Sequence, residues 1–319
     1  MKSTKRTPSL HRAPKLYPLN QSPFFKLKNK NKFFEIIGLS KHQVEKLSFE
    51  TAYKVFINES GRTIQEPIPQ LKAVHKRIGI LLGRIELPIY LHSGRKKHST
   101  LTNAESHRYA TELLKLDIHK FFPSTSAAKV YRTFIDIFKM SPDVAYLMTN
   151  LVTYSGKVPT GSPISMAVAF WANKDMFDEL SRLAFSNGLI FTVYVDDVAF
   201  SGEKIPKGFA AQAKKCIHAH GLVSKKEKET FYPSSKGKLL TGIVIQNGKL
   251  KVRWAHNASI KNELDTLAKA ENTPEKITHL EKLAGKLHAA GQIDYRLKDK
   301  ARFFTRQLKK AKTQSEQEN

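Results

Sequence analysis

Leu189-Ile-Phe-Thr-Val-Tyr-Val-Asp-Asp-Val-Ala-Phe-Ser201 carries the strongest structural signal in the sequence. Two apolar runs rich in β-branched and aromatic residues surround Asp196 and Asp197, a pattern that predicts a hairpin with acid at its tip. Neighbouring residues of a strand point to opposite faces, so two adjacent acids can act together only at a bend, which the tip provides. The alternative is a polar turn without chemistry, because an Asp-Asp pair alone is weak evidence for a site.

A third acid has a similar setting closer to the N-terminus. Asp117 interrupts the short apolar strand predicted for Leu113 to Ile118. A carboxylate is costly in such surroundings unless it is paired or binds an ion. If Asp117 converges with Asp196 and Asp197, the three acids offer hard oxygen ligands for two Mg²⁺ ions.

The charge of the chain indicates a polyanionic partner. Its 319 residues include 54 Lys and Arg against 28 Asp and Glu, a formal net charge of +26, and such an excess is typical of proteins that bind nucleic acids. A membrane surface is the rival polyanion, but the uncharged apolar stretch from Ile164 to Ala172 is too short to span a bilayer. No apolar block follows the basic N-terminus, so we expect no signal peptide, no membrane partner and a cytoplasmic location.

Residues 1–45 are predicted to be a basic N-terminal arm that is extended from Met1 to Phe34. No acidic residue precedes Glu35, and Lys and Arg alternate there with Pro, Ser and Asn and with the aromatics Tyr17, Phe24 and Phe25. Interleaved aromatic residues favour contact with nucleic acid. A disordered basic tail is the alternative.

The rest of the chain is predicted to mix helices with short strands, which is an α+β pattern. Turn residues and periodicity predict strands at Tyr53–Ile57, Arg62–Glu66 and on both sides of Asn247-Gly248. Single continuous helices are predicted at Ser126–Thr153, Pro163–Phe185 and residues 207–220. Two basic helices are predicted after them, one opened by Thr273-Pro274 and the other from Asp294 to Lys312. A Thr102-Asn-Ala-Glu105 pattern predicts a helix cap.

Six segments between residues 60 and 245 resemble, in order and spacing, the motifs of reverse transcriptases. Tyr194-Val-Asp-Asp197 resembles the YxDD box of that family. The others are Arg62-Thr-Ile with Pro67, Leu71 and Lys72, similar to the fingers motif; Leu116-Asp-Ile-His-Lys-Phe-Phe-Pro-Ser124, similar to the first catalytic motif; Val158-Pro-Thr-Gly-Ser-Pro-Ile-Ser165, similar to the template and nucleotide-binding turn; His220-Gly-Leu-Val with Lys228; and Leu240-Thr-Gly242, similar to the primer grip.

Within that superfamily the chain most resembles bacterial retron reverse transcriptases, which make branched RNA-linked DNA from a dedicated noncoding RNA. Asn103-Ala-Glu-Ser-His107 resembles the retron NAxxH segment, and Leu240-Thr-Gly242 resembles the retron VTG segment. The compact length agrees with this. For His107 the alternative is a satisfied buried histidine or one on a helix surface.

The resemblance implies roles for individual residues. Asp117, Asp196 and Asp197 would be the catalytic acids that hold two Mg²⁺ ions, with Asp117 and Asp196 as the principal metal ligands and Asp197 as a supporting ligand or a field-setting acid. The substrate-binding set would be Arg62 and Lys72 for the triphosphate, Phe122 as a gate against ribonucleotides, Gly161 in the nucleotide-binding turn, and Lys228 to protonate pyrophosphate. The RNA-binding set would be Asn103, His107, Thr241 and Gly242, to which the basic run before the last helices adds Arg253. For Phe122 the alternative is a core aromatic beside Phe121, and for Arg253 it is a solvated charged surface.

Two positions depart from the family pattern. Thr160 stands before Gly161 where retron and related enzymes usually have Gln, so the side-chain contact to the nascent pair must differ or come from elsewhere. Val195 is the middle residue of the YxDD box, where retrons more often have Ala. Neither change removes a metal ligand.

The resemblance also implies a right-hand polymerase with a palm of mixed or antiparallel sheet. We expect a basic arm at 1–45, fingers at 46–115, a palm at 116–235, and a primer grip and helical thumb at 236–319. The expected partners are a noncoding template and primer RNA, its DNA product, deoxynucleoside triphosphates and a separate effector protein that acts in defence against phage.

Two other functions stay open at this point. A reverse transcriptase of the group II intron or diversity-generating type is one, although the former usually has an extension after the thumb. A noncatalytic RNA-binding module with a polymerase-like fold is the other. It is disfavoured because a binding module has no physical reason to keep an acidic cluster in a basic groove.

Overall fold

The computed structural model describes residues 16–270 and 273–317. These residues form helices and antiparallel sheets, so the predicted α+β class is confirmed. They fold into two compact units that alternate along the chain. One comprises the described residues before Tyr90 with His119–Asp178 and Ile217–Leu222, and the other comprises Tyr90–Ile118, Glu179–Cys216 and the described residues from Val223 onward.

The helices and strands are numbered in chain order. The helices are α1 (Lys30–Ile37), α2 (Lys41–Leu47), α3 (Pro69–Leu82), α4 (Thr100–Ser106), α5 (Phe121–Ser124), α6 (Ala127–Asp136), α7 (Pro142–Val152), α8 (Ser165–Ala172), α9 (Lys174–Ser186), α10 (Phe209–Ala219), α11 (Trp254–Lys269), α12 (Thr273–Ile293) and α13 (Leu297–Gln317). The strands are β1 (Tyr53–Ile57), β2 (Thr63–Pro67), β3 (Glu112–Asp117), β4 (Ile190–Tyr194), β5 (Asp197–Gly202), β6 (Thr230–Tyr232), β7 (Lys238–Leu240), β8 (Ile243–Gln246) and β9 (Lys249–Val252).

The N-terminal part of the first unit is folded rather than extended. Phe24 and Phe33 are completely buried and Leu27 is nearly so, and Lys30–Ile37 is helical. The apolar side chains of this segment therefore contribute to a core, which corrects the predicted extended arm over residues 16–34. Residues 1–15 of that arm lie outside the described residues.

Two helices predicted as continuous are each broken in the first unit. Residues 126–153 form α6 and α7, because Lys139 adopts a φ of 56° and Pro142 starts a new helix at its first turn. Residues 163–185 form α8 and α9, and the break is at Asn173, whose amide donates to the Ala169 carbonyl at 2.8 Å and to the Thr125 hydroxyl at 2.9 Å. An asparagine side chain competes well for such backbone groups.

A four-stranded antiparallel sheet in the order β4-β5-β3-β6 organises the second unit. Strands β4 and β5 are the predicted hairpin. On one face, Phe191 stacks on Phe200 with ring centroids 5.0 Å apart, and Phe200 meets Phe209 of α10 edge-on at 5.0 Å. Burial of these rings fixes the register of the hairpin, because a slip by one residue would turn them to the other face.

The remaining elements of the second unit are a three-stranded sheet, β7-β8-β9, and the last helices. Helix α4 is capped by Ser99 with Thr102 at the third position, one turn earlier than the predicted cap at Thr102. Helix α11 was not predicted, whereas α12 and α13 match the two predicted basic helices. Within residues 16–270 and 273–317, every helix is too short or too polar to cross a lipid bilayer.

Candidate active site

The tip of the β4-β5 hairpin is a two-residue loop. Tyr194 pairs with Asp197, so Val195 and Asp196 form the loop, and Val195 has a φ of 60°. A positive φ at the first loop position is the pattern of a type II′ turn, which normally places glycine there. A β-branched residue in this conformation is strained. The Val195 amide donates to the Ser93 hydroxyl at 2.8 Å, a contact that helps to hold the strained tip.

Asp117 and Asp197 lie directly opposite each other. They are partners in the β3-β5 register, and opposite residues of antiparallel strands lie about 4.5–5.5 Å apart with their side chains on one face. Asp196 joins them through its carbonyl, which accepts the Ile118 amide at 2.8 Å. The pairing and this backbone hydrogen bond bring the main chain of the three predicted acids together at one edge of the second unit, and Asp117 is only 4% exposed.

Two lysines compensate the negative charge of this cluster. Lys228 Nζ lies 2.5 Å from Asp117 Oδ2, and Lys115 Nζ lies 3.9 Å from Asp197 Oδ1. Burial raises the pKa of Asp197, Lys115 opposes that shift, and the nearby carboxylates of Asp196 and Asp117 add to it. The hydrogen bond to Asp117 raises the pKa of Lys228, so this ammonium stays protonated.

The donor set fits divalent cations of the hard type. Two opposed carboxylates repel each other unless positive charge lies between or beside them, and here lysine ammonium groups meet that need in part. Carboxylate oxygens are the ligands that Mg²⁺ prefers. Asp117, Asp196 and Asp197 are thus the residues that would hold metal ions.

The turn around Gly161 belongs to the first unit and is tightly fastened. Gly161 has a φ of 113°, and a Cβ there would lie 2.5 Å from Ile64 Cγ2, so only glycine fits. Gln65 binds the main chain of Thr160 on both sides. The Gln65 backbone N–H donates to the Thr160 carbonyl at 2.7 Å, and the Gln65 side-chain oxygen accepts the Thr160 backbone N–H at 2.7 Å. A glutamine of β2 therefore contacts the position where the reverse transcriptases that this chain resembles usually have glutamine.

The other predicted substrate-binding residues of the first unit differ in their surroundings. Arg62 is exposed, whereas Lys72 Nζ forms an ion pair with Glu66 Oε1 at 2.7 Å. Phe121 is buried and its ring meets Phe177 at 5.9 Å, while Phe122 is only half-buried. Phe121 is thus the core aromatic, and part of the Phe122 ring is accessible.

The predicted RNA-binding residues divide into a buried pair and a more accessible group. His107 is completely buried and Asn103 is 1% exposed, so neither offers a surface to RNA. His107 is therefore a buried histidine whose two ring nitrogens both have hydrogen-bond partners, as the alternative interpretation predicts. This corrects the expectation of direct RNA contact by these two residues. Thr241 is half-buried, and Gly242 and Arg253 are exposed, so they stay candidates.

Several residues that support these sites were not among those predicted from the sequence. Lys115 has a readable signal, since it stands two residues before Asp117 and so shares its face of the strand. Ser93 has none, because its partner Val195 is remote in sequence. His75 also has none: its ring nitrogens contact Ser162 Oγ at 2.6 Å and the Leu151 carbonyl at 2.7 Å, which fastens the Gly161 turn from α3.

Comparison with known proteins identifies relatives. No family model matches the chain. It is similar to the retron Se72 reverse transcriptase of Salmonella heidelberg, with 29% identity over 68% of this chain and 62% of that protein. The retron Ec86 reverse transcriptase of Escherichia coli is 28% identical over 60% of each chain. The retron Mx65 reverse transcriptase of Myxococcus xanthus is 25% identical over 70% of this chain and 56% of that protein.

The matched region covers about three fifths of the length of these relatives. Among solved structures, a foamy viral protease-reverse transcriptase in complex with double-stranded DNA matches 74% of this chain and 35% of that one, with a TM-score of 0.43 and 15% identity. The similarity to several retron enzymes confirms the resemblance inferred from the motifs: this chain is similar to retron-type reverse transcriptases.

Proposed function

We propose that this protein is an RNA-directed DNA polymerase of a retron. It reverse-transcribes a structured noncoding RNA into branched, RNA-linked single-stranded DNA. The observation that carries the proposal is the opposed pair Asp117 and Asp197, with Asp196 at the adjoining hairpin tip, in a chain of net charge +26. The similarity to retron reverse transcriptases supports the same reading.

The three carboxylates would hold two Mg²⁺ ions. When bound, such ions supply Lewis-acid activation of the attacking hydroxyl and charge stabilisation for the leaving pyrophosphate. The carboxylates themselves contribute a fixed, partly buried negative site, because Asp117 and Asp197 sit on hydrogen-bonded strands rather than on a loop. Ligands on rigid strands keep their geometry better than ligands on loops.

Lys228 has a place in the chemistry of the leaving group. Its ammonium is protonated and lies on Asp117, with the side chain 44% exposed. It can therefore leave Asp117 when other cations occupy the carboxylates, and donate a proton from Nζ to pyrophosphate. Lys115, with its side chain 21% exposed, is more enclosed and would remain as a fixed counter-charge for Asp197.

The substrate contacts follow from the family motifs. Arg62 and Lys72 would bind the triphosphate of deoxynucleotides, and Lys72 would have to exchange Glu66 for phosphate. Phe122 would exclude the ribose 2′-hydroxyl by bulk. Gly161, which approaches Ile64 too closely for any side chain, would let the backbone of its turn approach the nascent base pair.

The RNA is proposed to bind along the C-terminal part of the second unit. Arg253 is exposed, Trp254 is 80% exposed, and Lys249 and Lys251 are exposed beside them. Cations with an adjacent exposed indole suit backbone contact combined with base stacking. We assign fingers, palm and thumb to residues 46–115, 116–235 and 236–319, with the primer grip at Leu240-Thr-Gly242.

The biological setting proposed is defence against phage, together with a separate effector protein. The experiment expresses the chain with the DNA that flanks its gene and examines extracted nucleic acid for a short, RNase-resistant branched DNA. The comparison is Asp196→Asn with Asp197→Asn. A branched product made only by the wild type supports the retron assignment. Unbranched DNA made on added primed RNA, without a branched product, would favour a reverse transcriptase of the group II intron or diversity-generating type.

A further inference from the structure

Helix α4 and the β7-β8 turn are joined to the catalytic sheet by one buried cluster. Its members come from α4, β3, β5, β7 and β8, and all belong to the second unit: Ala104, Leu113, Ala199, Leu240, Ile243 and Ile245. Leu113 and Ala199 lie on the same face of the sheet as Asp117 and Asp197, since both pairs differ by an even number of residues within their strands. The face that carries the acids at one end is thus packed against α4 at the other.

His107 directly follows the last residue of α4 and contacts both strands of the β4-β5 hairpin on this same face. Its Nδ1 lies 2.6 Å from Ser201 Oγ on β5, and its Nε2 lies 2.7 Å from Thr192 Oγ1 on β4. Thr192 pairs with Ala199, so Thr192 and Ser201 are diagonal neighbours and the imidazole spans both strands. Complete burial lowers the pKa of His107 to about 3, which leaves a neutral ring with one donor and one acceptor for two hydroxyl groups.

Asn103, one helical turn earlier, holds the β7-β8 turn. Its Nδ2 donates to Thr241 Oγ1 at 3.3 Å, and that hydroxyl donates in turn to the Thr100 carbonyl at 3.2 Å. Thr241 has a φ of 46° and Gly242 one of 84°. A β-branched residue keeps such a conformation only where its surroundings over-determine it, and here α4 provides those surroundings.

The Asn103 side chain is held at a cost. Its Oδ1 is buried without a hydrogen-bond partner among the described residues, and an unsatisfied buried acceptor is destabilising. The orientation of the amide is nevertheless fixed, because the Thr241 hydroxyl gives its proton to Thr100 and can only accept from Asn103.

We propose that Asn103 and His107 are positioning residues: α4 is a strut that sets the Leu240-Thr-Gly242 turn at a fixed place relative to the catalytic acids. The strut would align a primer hydroxyl held at that turn with Asp117, Asp196 and Asp197. This deepens the proposed function and rests on it. It also assigns one shared purpose to the two segments that distinguish this chain as retron-like, since one contacts the other through Asn103 and Thr241.

The first test measures single-turnover primer extension on a primed RNA with deoxynucleotides and Mg²⁺. Asn103→Ala and Thr241→Val each remove the link between helix and turn. We expect the rate constant to fall about tenfold, the worth of one well-placed hydrogen bond, while the amplitude stays at the wild-type value. A role in stability alone would lower the amplitude, which reports the folded fraction, and leave the rate constant unchanged.

Two comparisons sharpen this test. The double variant should be no slower than either single variant, because both remove the same link, and Thr241→Ser, which keeps the hydroxyl, should restore most of the rate. Glu105→Ala, on the exposed side of α4, is the matched control and should remain within about twofold of wild type. Additive losses, or a Thr241→Ser variant as slow as Thr241→Val, would overturn the proposal.

A second readout needs no catalysis. Hydrogen-deuterium exchange of residues 238–246 should be faster in Asn103→Ala, and exchange of residues 190–202 should be faster in Thr192→Val, each without a general increase elsewhere. If the wild type does not extend primers but these local effects appear, the strut stands and the proposed function fails. If the wild type extends primers and exchange in both segments is unchanged, the strut is refuted and the function stands.

Discussion

Replacement of Lys228 by methionine should make the folded protein depend on divalent cations. The change removes the ammonium that lies 2.5 Å from Asp117, a carboxylate whose side chain is only 6% exposed. Loss of one partner from a fully buried pair costs about 3–5 kcal/mol, whereas an exposed pair contributes about 0–1 kcal/mol. Because the Lys228 side chain is 44% exposed, we expect an intermediate loss of about 2 kcal/mol.

In metal-free buffer that loss corresponds to a fall in Tm of about 4–8 °C. Mg²⁺ should restore much of it, because a cation held by the three carboxylates replaces the missing positive charge. The measurement is thermal unfolding with EDTA and with several millimolar Mg²⁺, on wild type, Lys228→Met and the control Lys226→Met. Lys226 is an exposed lysine of the same short 3-10 turn.

The decisive quantity is the rise in Tm that Mg²⁺ causes. It should be larger for Lys228→Met than for wild type and Lys226→Met, which should behave alike. An equal rise in all three proteins would refute the argument that Lys228 and the metal compete for Asp117. So would a Lys228→Met protein as stable as wild type in EDTA.

Three further predictions concern other parts of the molecule. Gly161→Ala should lower the free energy of unfolding by about 2–4 kcal/mol, because it adds a clash with Ile64 to a strained φ. Gly156 also has a positive φ, of 73°, but a Cβ there would meet no atom within 4 Å, so urea unfolding should show a smaller loss for Gly156→Ala. Burial lowers the pKa of His107 to about 3 from an ordinary 6.5, so between these pH values the unfolded chain binds a proton that the folded protein does not. As the pH falls below 6.5, this group should therefore lower the free energy of unfolding, measured with urea, by up to about 1.4 kcal/mol per pH unit. That contribution should be absent in His107→Gln. Hydrogen bonds from His279 and then Lys286 lower the pKa of Glu263. The ionised carboxylate should therefore contribute to the free energy of unfolding above pH 4.5, and this contribution should disappear as the pH falls through the lowered pKa. Glu263→Gln should lower the free energy of unfolding by about 1–3 kcal/mol at pH 7 and have little effect near pH 3.

The β4-β5 hairpin could be predicted because its signal is local. Strict apolar patterning on both sides of Asp196-Asp197 leaves a strand pair as the only way to bury Phe191 and Phe200 on one face. Neither segment has a local pattern that specifies the pairing of Asp117 with Asp197. It was inferable only because a carboxylate in an apolar strand needs a partner.

The parts that sequence did not predict depend on contacts between remote residues. The break at Asn173 arises from a hydrogen bond to Thr125, whereas the apolar periodicity alone predicts a continuous helix there. The place of His107 depends on Ser201 and Thr192, which are far away in the chain. Val195 is the reverse case: local propensity opposes a positive φ there, and the contact with Ser93 helps to override it.

The proposed polymerase activity can be measured as primer extension by the purified protein on a generic primed RNA with deoxynucleotides and Mg²⁺, comparing wild type with Asp117→Asn and Asp197→Asn. We expect RNA-templated DNA synthesis by the wild type, a loss of at least about a thousandfold in both variants, and RNA binding by all three proteins. A wild-type protein that binds RNA but adds no nucleotide would contradict this expectation and leave a noncatalytic RNA-binding module as the better description.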